Sequence, residues 1–203
     1  MGKQIRETYY FDKPGPQNTQ DVIEIVKERA ESTGIKEVVV ASITGETALS
    51  FAKVLVGKTN VICVSGAPYR REWKLEWPCI KPEYGKELEK LGVPIVERAP
   101  YVFRSSVLEG SRWAAIFPEL LVREILYCFS QGLKVAVEVV LMAVASGWVE
   151  PYQDAIGVGG TARGADTAAV IKATYPAMMF SKDAKKRLEI RQIIAIPNSR
   201  TSE

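Results

Sequence analysis

Glu37-Val38-Val39-Val40-Ala41-Ser42-Ile43-Thr44-Gly45-Glu46-Thr47-Ala48 is the stretch on which the reading of this chain turns. The unbroken apolar run from Val38 to Ala41 suits a parallel strand buried on both faces. The turn beginning at Ser42 ends that strand, and the spacing of Ala48, Phe51, Ala52 and Leu55 predicts a helix over residues 47–56 with those four on its inner face. Strand, glycine turn and helix in this order make the repeating unit of an α/β protein. Such a turn exposes backbone N–H groups, and the helix behind it adds the positive end of its dipole. Ligands of open parallel sheets sit beyond the carboxyl ends of the strands. Ser42, Thr44, Gly45, Glu46 and Thr47 are therefore the first candidate site: two threonine hydroxyls, the amides of Glu46 and Thr47, and a glycine that lets the backbone approach a phosphate. The same residues also read as an ordinary strand-to-helix junction, which every doubly wound protein possesses.

Outward from this stretch the pattern repeats. Residues 8–11 are β-like and are broken by Lys13-Pro14-Gly15-Pro16; Asn18 is expected to cap a helix whose apolar face is Val22, Ile23, Val26 and Ala30, and Gly34 ends it. Residues 60–64 and 93–96 read as further strands, 82–91, 118–129 and 133–146 as helices, 154–158 and 168–173 as strands, and 188–196 as a strand or else a frayed helix, the strand being favoured. The helix over 133–146 is apolar nearly all round and is expected to be buried, either as core or as a dimer interface. The sum predicts one α/β domain over residues 1–203, with a mostly parallel sheet between two layers of helices. Two stretches have no periodicity. Residues 65–82 carry Pro68, Arg70, Arg71, Trp73, Trp77 and Pro78, and 98–117 carry Arg104, Ser105, Ser106 and Arg112. The first reads as a lid or binding loop, or else as a surface excursion whose tryptophans plug the edge of the core.

A second glycine turn, Gly157-Val158-Gly159-Gly160-Thr161-Ala162-Arg163-Gly164-Ala165-Asp166, follows a β-like run. It matches the spacing of a dinucleotide fingerprint, but a β-like run rather than a helix comes next, so the context fails. Gly159, Gly160 and Thr161 read instead as a wall open to a flat ring or a phosphate. Arg163 offers a planar fork to an anion, and Asp166 an acceptor for a hydroxyl or imide; alternatively the two pair with each other. Gln131 and Lys134 stand at the entry of the apolar helix, where free N–H groups again face outward. Glu138, four residues after Lys134, is either a buried general acid or a carboxylate satisfied by Lys134 or by a loop N–H.

Composition narrows the chemistry. The chain has 203 residues, a net charge of +3 spread along its length, and no histidine. That charge is too dispersed to predict a nucleic-acid surface. Lacking histidine, the chain cannot build a histidine triad or a histidine-containing zinc site. Cys63, Cys79 and Cys128 are widely spaced and read as reduced thiols. The N-terminus lacks a secretory pattern and the longest apolar run, 135–149, falls short of the roughly 20 residues of a spanning helix, so a cytoplasmic location without a membrane partner is expected.

Taken as a set, Tyr9-Tyr10-Phe11-x-Lys13-Pro14-Gly15, the stretch from Val38 to Ala48, Gln131-Gly132-x-Lys134-Val135-Ala136-Val137-Glu138 and Gly159-Gly160-Thr161-x-Arg163-Gly164-Ala165-Asp166-Thr167-Ala168 resemble one group. They are similar to the stand-alone, mainly archaeal proteins related to the C-terminal domain of pyruvate kinase. The resemblance implies a three-layer α/β fold, with the turn from Ser42 to Thr47 where that domain holds the phosphate of its allosteric sugar bisphosphate. It implies no phosphotransfer to ADP, because the catalytic barrel is another domain. It also implies bound flavin mononucleotide, whose phosphate would take the first turn and whose ring would take the glycine wall. The stretch 68–78 departs from the family pattern. The expectation is a flavin mononucleotide protein, a homo-oligomer in one version, with flavin redox as its chemistry if it is an enzyme and no catalytic residue assigned. A ligand-sensing regulatory module and a sugar-phosphate or nucleotide protein without flavin chemistry are the alternatives.

Overall fold

The computed structural model describes residues 2–104, 112 and 117–199, so Ser105 and Ser106 of the second irregular stretch lie outside the described residues. Seven strands form one sheet: β1 (Tyr9–Phe11), β2 (Glu37–Ala41), β3 (Asn60–Val64), β4 (Ile95–Val96), β5 (Asp154–Gly159), β6 (Thr167–Lys172) and β7 (Glu189–Pro197), in the spatial order β1-β7-β6-β5-β2-β3-β4. The β1–β7, β5–β2, β2–β3 and β3–β4 pairs are parallel, whereas β6 is antiparallel to both β5 and β7. Six strands therefore point one way and β6 alone is reversed. The reason is chain length: only residues 160–166 separate β5 from β6, too few for a parallel crossover, which takes a dozen or more.

The helices are α1 (Thr19–Thr33), α2 (Glu46–Leu55), α3 (Pro82–Lys90), α4 (Pro118–Tyr127) and α5 (Gln131–Ala145). Strand alternation divides the core in two. Val38 and Val40 of β2 face a cluster with Val22, Ile23 and Val26 of α1 and Phe51, Ala52 and Leu55 of α2. Val39 faces the other cluster, with Leu126 of α4 and Val137, Val140 and Leu141 of α5. Helices thus cover both faces, as expected. Each fully buried Phe or Leu, such as Phe51 and Leu55, contributes about 1.5–3 kcal/mol relative to exposure.

Helix α5 is core: it is buried on nearly every face and lies directly on β5. A Cβ on Gly157 would stand 2.5 Å from the Ala136 carbonyl oxygen, and one on Gly159 would stand 2.2 Å from that of Gly132. Only glycines allow this approach. The expected cap of α1 differs. Asn18 already has helical angles at the end of a 3-10 turn, so its side chain turns back and donates to the Lys13 carbonyl (2.8 Å) instead of reaching forward. Gly34 ends α1 in the left-handed conformation, at φ 73°. Cys63, Cys79 and Cys128 are free thiols, and burial pushes the Cys63 thiol up to about 12. Among the described residues no helix is long and apolar enough to cross a membrane.

Candidate functional site

Because β5 runs parallel to β2, the two glycine turns leave the sheet at the same edge. Helix α2 starts there, and α5, which runs back against the strands, has its own N-terminus there. A cavity of about 440 Å³ lies between them, lined by Ala41, Ser42, Ile43, Thr44, Glu46 and Thr47 from the first turn, Gly160, Ala162, Arg163 and Gly164 from the second, Gln131 and Val135 from α5, and Lys81. That volume is within the usual range for small-ligand sites.

The turn is set by its neighbours. Gly45 stands at φ 95°, a left-handed position, and a Cβ there would also press on the Cβ of Tyr84 at 3.0 Å. Ser65, after β3, donates its hydroxyl to the Ile43 carbonyl at 2.6 Å, and the Lys81 amide donates to the Thr44 carbonyl at 3.0 Å. The segment 65–81 is thus fastened at both ends to the turn. As N-cap, Gly45 supplies no side-chain acceptor, and the Glu46 amide has only a long contact to Thr44 Oγ1 (3.5 Å). The amides of Thr47 and Ala48 precede the first intrahelical bonds and have no helix partner. At α5 the Ser130 hydroxyl caps the Leu133 amide (2.8 Å), and Gln131, the first helical residue, lines the cavity. Two positive helix ends therefore converge on one volume.

Ser42 is the least conventional residue of the site. It is 4% exposed, lines the cavity, and its Oγ has no hydrogen-bond partner. A buried hydroxyl left unpaired costs about 1–3 kcal/mol. Arg163 is exposed at the rim and forms no ion pair among the described residues; in particular it does not pair with Asp166. Lys81 adds a second cation at the rim, and Glu46 an anion.

The remaining candidate residues sit elsewhere. Asp166 is fully buried and is spent within the protein: it accepts from the amides of Gly15 (3.0 Å) and Thr161 (2.9 Å) and from the Thr167 hydroxyl (2.8 Å), fastening the second turn to the segment after β1. Thr161 and Gly45 shape the walls without lining the cavity. Gly159 serves the contact between α5 and β5, whereas Gly160 does line the cavity. Lys134 points away: its ammonium is paired with Glu138, whose other oxygen accepts from the Phe103 amide at 2.9 Å. Burial holds the Lys134 amine below its ordinary value against the opposing pull of Glu138. Of the two readings of Glu138, the structure shows the satisfied carboxylate, using both partners. Nor does the segment 65–81 form a lid, since only its last residue, Lys81, reaches the cavity. Its tryptophans turn towards β4, where Trp77 donates to the Gly66 and Glu97 carbonyls.

Lys81, Ile43, Val135, Ala162 and Gly164 are lining residues that sequence reasoning missed. Val135 follows from helical spacing, four residues after Gln131. The place of Lys81 depends on a contact across 37 positions of sequence, for which local pattern carries no signal. No protein-family model matches the chain.

Proposed function

We propose that this chain binds a phosphorylated small ligand, flavin mononucleotide, in the cavity between α2 and α5. The observation that carries the reading is Ser42: a buried hydroxyl without a partner, on a residue that lines a volume where two helix N-termini meet. A phosphate dianion suits that volume because it accepts from the Ser42 hydroxyl and the Thr47 and Ala48 amides while Lys81 and Arg163 offset its charge. Ile43, Val135 and Ala162 offer apolar contact to a ring, and Gly160 leaves room beside it. Bound flavin would supply electron and hydride transfer; the chain's part is to hold and orient it. The resemblance to the stand-alone proteins related to the C-terminal domain of pyruvate kinase supports the same ligand and the same turn.

One observation favours a second reading. No aromatic side chain lines the cavity among the described residues. A phosphorylated ligand without a flat ring, bound as a regulatory signal, would meet the same anion-binding groups. Parallel titrations with flavin mononucleotide and riboflavin separate the two contributions. Charge-assisted contacts to the phosphate are worth about 2–3 kcal/mol, so flavin mononucleotide should bind at least ~30-fold more tightly than riboflavin. Equal affinities would remove the phosphate from the account. A sugar phosphate that binds more tightly than either flavin would favour the second reading.

A further inference from the structure

The segments after β3 and β4 leave the same sheet edge as the cavity and meet through two tryptophans. Trp77 staples them together, donating its indole N–H to Gly66 O (3.0 Å) and Glu97 O (3.1 Å). Over its ring lie the guanidinium groups of Arg71, at 4.7 Å from the centroid, and Arg98, at 5.5 Å. Beside it Trp73 stacks on Tyr101 (5.6 Å, 24° between planes) and carries Arg104 at 5.1 Å. Three guanidinium groups from two chain segments thus rest on two indoles.

None of the three arginines forms an ion pair with a carboxylate among the described residues, although Glu72, Glu76 and Glu97 lie in the same segments. An indole beneath a guanidinium fixes its plane and restricts its rotamers, while the edge N–H groups remain directed outward. Those edges match the oxygens of phosphate-type anions in bidentate fashion. Gathering like charges in one patch costs repulsion, and a multiply charged anion bridging them reverses its sign. A net charge of only +3 for the whole chain makes the local concentration of unpaired arginines all the more uneven.

We propose that Arg71, Arg98 and Arg104 form a second anion-binding site, separate from the cavity, that takes a small polyanion of the phosphate type. Two strand spacings, roughly 10 Å, separate the end of β4 from the turn after β2, so the two sites flank each other on one edge. The indole faces are taken up by guanidinium groups and by Tyr101, leaving no bare ring of the kind that stacks nucleic-acid bases. A small polyanion is therefore the better occupant than a nucleic-acid strand. The inference does not depend on what fills the cavity.

The test titrates the full chain with inorganic tripolyphosphate, followed by tryptophan fluorescence and calorimetry. The expected result is saturable binding that weakens about tenfold or more in Arg71→Gln/Arg98→Gln, with an intermediate loss in Arg71→Lys, which keeps the charge but not the planar fork. Circular dichroism and the melting temperature of each variant establish that it is folded. Arg163→Gln, at the cavity, should leave tripolyphosphate affinity within about twofold even where flavin mononucleotide affinity falls. Absence of saturable binding, or equal affinity in the double variant, would overturn the proposal. So would a loss confined to Arg163→Gln, which would put the polyanion in the cavity. An oligonucleotide that binds the patch when tripolyphosphate does not would overturn it in favour of a nucleic-acid surface.

Discussion

Two side chains carry opposite lessons about buried polarity. Ser42 is buried with nothing to bond, whereas Glu138 is buried with every need met. The Ser42 hydroxyl contributes nothing to the unliganded fold, so Ser42→Ala should leave the unliganded protein as stable as the wild type or about 1 kcal/mol more stable. The same change should weaken flavin mononucleotide binding about tenfold or more, the worth of one hydrogen bond to a charged acceptor. Thermal melts of both proteins with and without ligand check this; a large loss of stability in the unliganded variant would mean the hydroxyl has a structural partner. For the buried ion pair, Glu138→Leu strands the Lys134 charge and frees the Phe103 amide, and should cost about 3–5 kcal/mol. Lys134→Met/Glu138→Leu should recover much of that loss, leaving about 1–3 kcal/mol for the unpaired amide. Urea denaturation measures both. A double variant no better than the single would show that the carboxylate matters through its loop contact rather than through the lysine.

At the scale of elements, α5 and β5 meet through glycine. Gly159→Ala would place a methyl group 2.2 Å from the Gly132 carbonyl and must push the helix off the sheet, at a cost of about 2 kcal/mol or more. Gly34→Ala, at a left-handed position with open space around it, should cost only about 1 kcal/mol. Midpoints of chemical unfolding compare the two, and the ranking would be contradicted if Gly34→Ala proved the costlier. Most elements were legible in the sequence. β2 and β3 announce themselves as apolar runs of parallel-strand length, α2 by the spacing of its apolar residues, α5 as an apolar run too long for a strand, and the turn between β2 and α2 by Gly45. Less legible was anything decided by contact between distant segments. Asn18 looks like a cap, yet the 3-10 turn before it redirects its side chain. Asp166 and Lys134 look available, yet the amides of Gly15 and Thr161 and the carboxylate of Glu138 claim them. Gly159 looks like part of a ligand wall, yet the wall it makes is the seat of a helix. Polar side chains at a glycine turn have the same sequence signature whether they serve a ligand or the fold, and only tertiary structure separates the two uses.

For the molecule as a whole, the direction of the strands decides where function can sit. With six strands pointing one way, the turn after β2, the turn after β5, the start of α5 and the segments after β3 and β4 all emerge at one edge. The reversed β6 is what folds the second turn back as a compact hairpin beside the first. Helix-start amides and cationic side chains drawn from across the sequence are thereby concentrated on one side, although the net charge is small. A ligand held there favours the folded state by mass action, and flavin mononucleotide at 100 times its dissociation constant should add about 2.7 kcal/mol to stability, read as a rise in melting temperature that riboflavin at the same concentration does not match. The most direct measurement is the visible absorption spectrum of the purified protein, followed by denaturation and identification of what is released. The account predicts flavin bands and free flavin mononucleotide, or the appearance of those bands when the nucleotide is added. A colourless protein that takes up no added flavin mononucleotide would contradict it.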